Sequence, residues 1–197
     1  ATLAAVSALR SGVDLVTVVA PQRAADVASH TLPDLITYPL KGQIIGGRHV
    51  AQIMDIAHLR KINSVVLGCG LGRHQSTLMA IRKMIAKFTV PMVLDADALL
   101  AISQKPEVVN RRHIVLTPHA GELGTLLRKV AVGADFEERA NQAKMAALKY
   151  KSVIVLKGHI DIVTDGQILA TNNSGTSYMT KGGFGDTLAG IIAALLE

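Results

Sequence analysis

The glycine-rich turn near the end of the chain has the composition of a phosphate-binding loop. It contains Gly182, Gly183 and Gly185, followed by Asp186 and an apolar run typical of a helix. Glycine permits positive φ, and the first turn of a helix presents free N–H groups that favour anions. Because a carboxylate beside a resting phosphate would repel it, Asp186 is predicted to take a proton from a hydroxyl during phosphoryl transfer. A helix cap is the simpler alternative.

Two polar clusters follow predicted strands in the first half of the chain. Gly70 and Gly72 lie in the segment CGLGRH. This segment is either a loop that lets a phosphate or ribose approach the backbone, or an ordinary strand-to-helix turn. Asp95 and Asp97 follow the next strand. Two carboxylates at this spacing could hold a magnesium ion through water, or could serve as a structural hydrogen-bond acceptor and a helix cap.

Two more clusters follow the next predicted strands. His119, in TPHAGE, could donate a hydrogen bond to a substrate while Glu122 orients its neighbours. Lys157 could meet a phosphate for which Gly158 leaves room. A histidine in a turn and a solvated lysine are the simpler alternatives. Ligands of open parallel sheets bind beyond the carboxyl ends of strands, so one shared site explains the clusters better than separate structural roles.

The elements that must position these clusters alternate between strand and helix. Apolar runs predict strands at 13–20, 35–38, 64–68, 91–94 and 113–116, with helices at 1–11, 48–59, 75–87, after 97, from 121, and at 136–150. The pattern then changes to strands at 152–156, 160–164 and 167–170, with a turn at Asp165-Gly166. This order predicts an α/β fold with a mostly parallel sheet and an antiparallel edge near the C-terminus.

Length and composition indicate one folded domain over residues 1–197. Hydrophobic residues make up 49% of the chain and charged residues 18%. No apolar run approaches the ~18 residues that a membrane-spanning helix needs, so we expect no membrane segment. The chain opens on a predicted helix without a preceding strand and stops within another helix, so we expect it to be truncated at both ends. The single cysteine, Cys69, and the lack of a leader segment favour a reducing cytoplasm.

The formal charge of +6 points to a small phosphorylated ligand and not to nucleic acid. The basic residues are scattered, and three Tyr, three Phe and no Trp leave little material for stacking on bases. An ordinary basic surface explains the charge equally well.

Several segments, in this order, resemble motifs of the ribokinase-like NAD(P)H-hydrate dehydratases, which are carbohydrate-kinase-related repair enzymes. They are ALRSGVDLVTVVAP, GCGLGR, VLDADAL, TPHAGEL, VLKG and GGFGDTLAGIIAALL. The resemblance covers nearly the whole chain, and the TPHAGE and GGFGD pair is its most specific part. It implies a ribokinase-like three-layer αβα sandwich.

The resemblance also implies an activity, a lyase reaction that dehydrates hydrated NADH or NADPH back to the working cofactor. ADP or ATP, with Mg²⁺, would phosphorylate the ring hydroxyl, and the phosphate would then be eliminated. It further implies a homo-oligomer, often a tetramer.

The family's functional residues fall on positions already singled out. Asp186 would be the catalytic base and would contact the substrate together with Gly70, Gly72 and His119. The adenine nucleotide would contact Lys157, Gly158, His159, Ile160, Asp161, Gly183 and Gly185.

The sequence departs from the family pattern in three places. Cys69 stands where the family's glycine loop has a proline, and Thr176 to Lys181 differ from the usual residues before the glycine-rich turn. The family's N-terminal glycine loop has no counterpart among these residues.

Two alternatives stay open. One is a kinase of the same superfamily acting on a vitamin precursor, hydroxymethylpyrimidine or hydroxyethylthiazole. The other is a nucleotide-binding protein without catalysis. The residues do not distinguish ADP from ATP, or the hydrate of NADH from that of NADPH.

Overall fold

Helices and strands alternate along most of the chain in the computed structural model, which describes residues 1–109, 113–128, 132–133 and 135–196. The helices are α1 (Thr2–Arg10), α2 (Gln22–Thr31), α3 (Val50–Leu59), α4 (Gln75–Lys87), α5 (Asp97–Ser103), α6 (Ala120–Leu127), α7 (Phe136–Tyr150) and α8 (Phe184–Leu195). The strands are β1 (Thr17–Pro21), β2 (Ile36–Leu40), β3 (Val65–Leu67), β4 (Met92–Leu94), β5 (Ile114–Leu116), β6 (Val153–Leu156), β7 (Asp161–Thr164) and β8 (Leu169–Asn172). The last predicted position of the final helix, Glu197, lies outside the described residues.

The main sheet has the strand order β3-β4-β5-β6-β7-β8. Neighbours from β3 to β6 are parallel, whereas β6-β7 and β7-β8 are antiparallel. This confirms the predicted parallel sheet with an antiparallel edge. The sequence did not predict that β1 and β2 pair in parallel as a two-stranded sheet of their own.

Apolar side chains cover both faces of the main sheet, which gives three layers. Successive strand residues point to opposite faces, and Val93 and Leu94 of β4 are both fully buried. Leu94 belongs to the larger core, which contains buried residues of α3 to α7, whereas Val93 packs with Ala189 and Ala193 of α8. The site-bearing helix α8 therefore lies on the face opposite α4 to α7.

Helix α8 is fixed against α1 by a close backbone approach. A Cβ on Gly190 would overlap with the Ala4 carbonyl oxygen and the Ser7 hydroxyl. The Ser7 hydroxyl also donates a hydrogen bond of 2.9 Å to the Thr187 carbonyl. These contacts determine where the first turn of α8 lies relative to the sheet.

The antiparallel edge strand β8 begins two residues later than predicted. The Asp165 carboxylate accepts hydrogen bonds from the Gln167 and Ile168 amides at 2.9 and 2.8 Å, so these two residues belong to the turn.

Within the described residues, no helix combines the length and apolar character needed to cross a membrane.

Candidate functional site

The carboxyl ends of the parallel strands β3, β4 and β6 meet the first turn of α8. Cys69 follows β3, Asp95 follows β4, and Asp186 lies in α8; the thiol and the two carboxylates lie within 4.8 Å of one another. Lys157, which follows β6, approaches the same point, because a Cβ on Gly185 would lie 3.3 Å from its Nζ. The structure therefore brings together residues from distant parts of the sequence, as the strand-end argument predicts.

Asp95 is a buried anion with two donors on one oxygen. Its Oδ1 accepts hydrogen bonds from the Thr117 hydroxyl at 2.7 Å and from the Lys157 ammonium at 2.9 Å. The residue is only 3% exposed. A buried charge needs such partners because desolvation alone would disfavour it.

Asp97, two residues later, serves a different part of the site. Its Oδ2 accepts a hydrogen bond of 2.8 Å from the Gly72 amide, and its Oδ1 lies 3.5 Å from Arg73 Nε. Asp97 is the first residue of α5, and the N-cap is Ala96, so the predicted cap role of Asp97 is wrong. Because Asp95 and Asp97 have separate partners, their geometry does not support a shared magnesium site.

The three glycines after β3 have two different structural roles. Gly68 has φ of +127°, and a Cβ there would overlap with the Asp95 carbonyl oxygen. Gly70 and Gly72 have φ of +70° and +86°, but the space beside them is open. The loop is thus accessible to a ligand. Sequence reasoning missed Gly68, whose only signal was its place between the strand and the loop.

His119 is the N-cap of α6 in a reciprocal capping box with Glu122. The Glu122 amide donates to His119 Nδ1 at 3.3 Å, and the His119 amide donates to Glu122 Oε2 at 2.8 Å. Since Nδ1 accepts this bond, Nε2 carries the ring proton and can donate it. The side chain is 61% exposed, and Nε2 lies 3.6 Å from Glu122 Oε1.

Glu122 also links His119 to the lysine. Glu122 Oε2 lies 3.8 Å from Lys157 Nζ, and the backbones at positions 119 and 157 form an isolated parallel bridge. The Lys157 amide donates to the Pro118 carbonyl at 2.9 Å. The histidine and lysine segments are therefore held side by side.

The segment from Lys157 to Asp161 is a turn closed by its own side chain. The Gly158 amide donates to Asp161 Oδ1 at 2.9 Å, while His159 is exposed and Ile160 half-buried. Arg139 of α7 lies beneath, donating to the Lys157 and Ile160 carbonyls at 3.4 and 3.5 Å. Sequence reasoning missed Arg139, because a charged residue in a helix gives no sign of the loop it supports.

Asp186 lies three residues after the α8 N-cap, Gly183, whose φ is +94°. Its side chain is 30% exposed. The cap alternative for Asp186 is wrong, because the capping position belongs to Gly183 and has no side-chain cap.

The Cys69 thiol beside Asp186 is held in its protonated form. Burial raises its pKa from 9.0 to about 12, with further contributions from the Asp186 and Asp95 carboxylates.

The segment from Thr176 to Lys181, which departs from the family pattern, is exposed and contains one 3₁₀ turn, Ser177–Met179.

Comparisons with known proteins show which proteins this chain is similar to. The family model for NAD(P)H-hydrate dehydratase matches residues 1–197. A bifunctional NAD(P)H-hydrate repair enzyme Nnr of Hyperthermus butylicus is 40% identical over 98% of this chain, which spans only 37% of that relative.

Two solved structures share the fold. An ADP/ATP-dependent NAD(P)H-hydrate dehydratase from Bacillus subtilis, co-crystallised with ATP and Mg²⁺, aligns over 100% of this chain and 68% of its own, with a TM-score of 0.77 and 27% identity. A ribokinase-like superfamily protein from Enterococcus faecalis aligns over 99% of this chain and 65% of its own, with a TM-score of 0.78 and 22% identity. The ribokinase-like fold predicted from the sequence is thus confirmed.

Proposed function

This chain belongs to the NAD(P)H-hydrate dehydratase family, and from that premise we propose that it dehydrates hydrated NADH or NADPH at the expense of ADP or ATP. The observation that carries the proposal is the meeting of Asp186, Lys157 and the glycine-bounded start of α8 at one point. A base, a cation and a helix N-terminus are the groups that phosphoryl transfer to a hydroxyl requires.

The first step forms a phosphate ester on the hydrated ring. The oxygen of the ring hydroxyl attacks the terminal phosphorus of the nucleotide, and Asp186 takes the hydroxyl proton. The phosphoanhydride bond breaks, and the shortened nucleotide leaves. Lys157 and the first-turn amides near Gly185 stabilise the charge on the transferred group.

The second step restores the reduced nicotinamide ring. The ring carbon–oxygen bond breaks, phosphate leaves with the electron pair, and the neighbouring ring carbon loses a proton as the double bond forms.

The dinucleotide binds to His119, through the Nε2 proton, and to the open loop at Gly70 and Gly72. Lys157 to Asp161, Gly183 and Gly185 contact the adenine nucleotide.

Magnesium is expected with either nucleotide, but the described residues do not bring three carboxylates together to hold it. Asp95 and Asp97 are committed to Lys157 and to Gly72. Cys69 is a poor third ligand beside Asp95 and Asp186, because Mg²⁺ prefers oxygen ligands to a soft sulfur atom. We therefore propose that magnesium enters with the nucleotide phosphates, as is common for this ion.

Three further properties are proposed from family membership alone. They are a cytoplasmic location, a homo-oligomeric state and, more specifically, a tetramer. Size-exclusion chromatography with light scattering measures the mass of the assembly, and a monomeric mass would contradict the last two.

The activity is tested by mixing the purified protein with hydrated NADH or NADPH, Mg²⁺, and either ADP or ATP. We expect near-ultraviolet absorbance to recover with at least one nucleotide, above a control without protein. No recovery from intact substrate would overturn the proposal. Phosphorylation of hydroxyethylthiazole or hydroxymethylpyrimidine in a parallel assay would instead identify a vitamin-precursor kinase, and nucleotide binding without turnover on any substrate would indicate a non-catalytic protein.

A further inference from the structure

The segment Asp95-Ala96-Asp97 connects the two halves of the site. Asp95 contacts Lys157, on the side assigned to the nucleotide, at 2.9 Å. Asp97 contacts the Gly72 amide, on the side assigned to the dinucleotide, at 2.8 Å. Both contacts come from one tripeptide between β4 and α5.

Asp95 is placed to act on Lys157 and not on a ligand. At 3% exposure it is closed off from solvent, and the Thr117 hydroxyl fixes the same oxygen that receives the ammonium group. Lysine has a flexible stem, so an unpaired ammonium samples many positions. The Asp95 carboxylate restricts it to the side of Gly185, at the first turn of α8.

Asp97 has the corresponding role for the glycine loop. Gly70 and Gly72 adopt positive φ with open space beside them, so side-chain packing does not hold the loop at these positions. A hydrogen bond from an amide to a carboxylate is stronger than one between neutral groups. The Gly72–Asp97 bond therefore anchors the loop to the start of α5.

Ala96 carries the backbone conformation that separates the two carboxylates. Its φ is 47° and its ψ is −116°, a combination that glycine adopts far more readily than alanine. Strained residues of this kind persist where the surrounding contacts fix them, and they concentrate at functional sites. The Ala96 carbonyl accepts hydrogen bonds from the Leu99 and Leu100 amides at 3.0 and 3.4 Å, which tie this conformation to the first turn of α5.

We propose that Asp95 and Asp97 are positioning residues for the two substrates: Asp95 holds the Lys157 ammonium for the nucleotide phosphates, and Asp97 holds the Gly70–Gly72 loop for the hydrated dinucleotide. This inference rests on the proposed function for the identity of the two ligands. Its basis in the fold is the strained turn at Ala96, which directs one carboxylate to each side.

The experiment compares Asp95→Asn with Asp97→Asn, which are the same chemical change two positions apart. Calorimetry gives the affinity for ADP with Mg²⁺ and, separately, for hydrated NADH. Asp95→Asn is expected to weaken ADP binding about tenfold and to leave hydrate binding unchanged. Asp97→Asn is expected to show the reverse, because one charge-assisted contact is worth about a factor of ten.

The reciprocal pattern distinguishes positioning from general loss of structure. If both variants weaken both ligands equally, or neither variant weakens either, the proposal is overturned. Should Asp95→Asn fail to fold, Thr117→Val removes only one anchor of Asp95, and it must then weaken ADP binding alone. Because binding needs no turnover, wild-type protein that binds ADP but restores no NADH would refute the proposed activity and leave the Asp95 test standing.

Ala96→Gly provides a third readout. Glycine relieves the strain and leaves both carboxylates in place, so both ligand affinities should match wild type while the melting temperature rises. A melting temperature that does not rise would contradict the role assigned to the turn.

Discussion

A Cβ atom on Gly185 would lie 3.3 Å from Lys157 Nζ and 3.7 Å from Asp95 Oδ2, so this glycine provides the space that the ion pair occupies. Gly185→Ala should push the ammonium a few tenths of an ångström away from the first turn of α8 and lower kcat/KM about tenfold. Alanine is the better helix former, by about 1 kcal/mol, so the melting temperature should not fall. Steady-state kinetics and thermal unfolding measure the two effects.

The matched control is Gly190→Ala in the same helix. Its Cβ would overlap with the Ala4 carbonyl oxygen, which is backbone and cannot move aside. We expect a drop of about 1–3 kcal/mol in the free energy of unfolding, as overpacking typically produces. If Gly185→Ala loses stability as Gly190→Ala does, its loss of activity is structural and the steric argument fails.

Asp186→Asn tests the proposed base. The amide is nearly the same size as the carboxylate but does not take up a proton, so turnover should fall about 10²–10⁴-fold. ADP affinity should persist, since no nucleotide contact is assigned to this side chain. Rapid-quench or absorbance kinetics measure the turnover, and calorimetry measures the affinity for ADP. Turnover equal to wild type would remove Asp186 from the mechanism.

Arg139→Met tests the support beneath the nucleotide segment. Arg139 donates to the Lys157 and Ile160 carbonyls over 3.4 and 3.5 Å, which are weak contacts. We expect the KM for ADP or ATP to rise about three- to tenfold, equivalent to ~1 kcal/mol, with kcat little changed. Within the described residues the buried Arg139 Nε has no hydrogen-bond partner, so its removal should cost little stability.

Arg82→Met is the control for Arg139→Met. Arg82 lies in α4 and donates to the Gln104 side chain at 3.2 Å, on the exposed surface. Its nucleotide KM should equal that of wild type. Equal KM changes in both variants would mean that loss of surface charge, and not loss of the turn support, weakens nucleotide binding.

Alkaline pH should destabilise the protein through Cys69 and Tyr150. Burial raises the pKa of the thiol from 9.0 to about 12 and that of the buried phenol from 10.0 to about 12. At a pH between the ordinary and the raised pKa of a group, that group is deprotonated in the unfolded chain and still protonated in the folded chain. The free energy of unfolding should therefore fall above pH 9 through the thiol and above pH 10 through the phenol, by up to ~1.4 kcal/mol per pH unit for each group.

Denaturant unfolding of Cys69→Ala from pH 7 to pH 11 isolates the thiol contribution. Alanine does not titrate, so the curve should be flatter than that of wild type above pH 9, while the phenol contribution remains. Parallel curves for the two proteins would show that the thiol keeps an ordinary pKa in the folded state.

Local sequence patterns predicted the helices and the type of sheet well. Helices α4 and α7 have the predicted bounds, because their apolar periodicity and flanking residues are local signals. Strand β1 begins at Thr17 and not at Val13, since only residues from Thr17 onward pair with β2. A run of apolar residues shows that a strand exists, but its length depends on the partner strand.

The sequence by itself determined the order of the elements, the family, and the strand ends at which polar residues accumulate. Only the tertiary structure decided what those residues do. Asp95 and Asp97 look equivalent in the sequence, but one is paired with Lys157, 62 positions away, and the other with Gly72 on a separate loop. The physical reason is that a carboxylate's role depends on its burial and on the donors beside it, and these come from chain segments that only folding brings together.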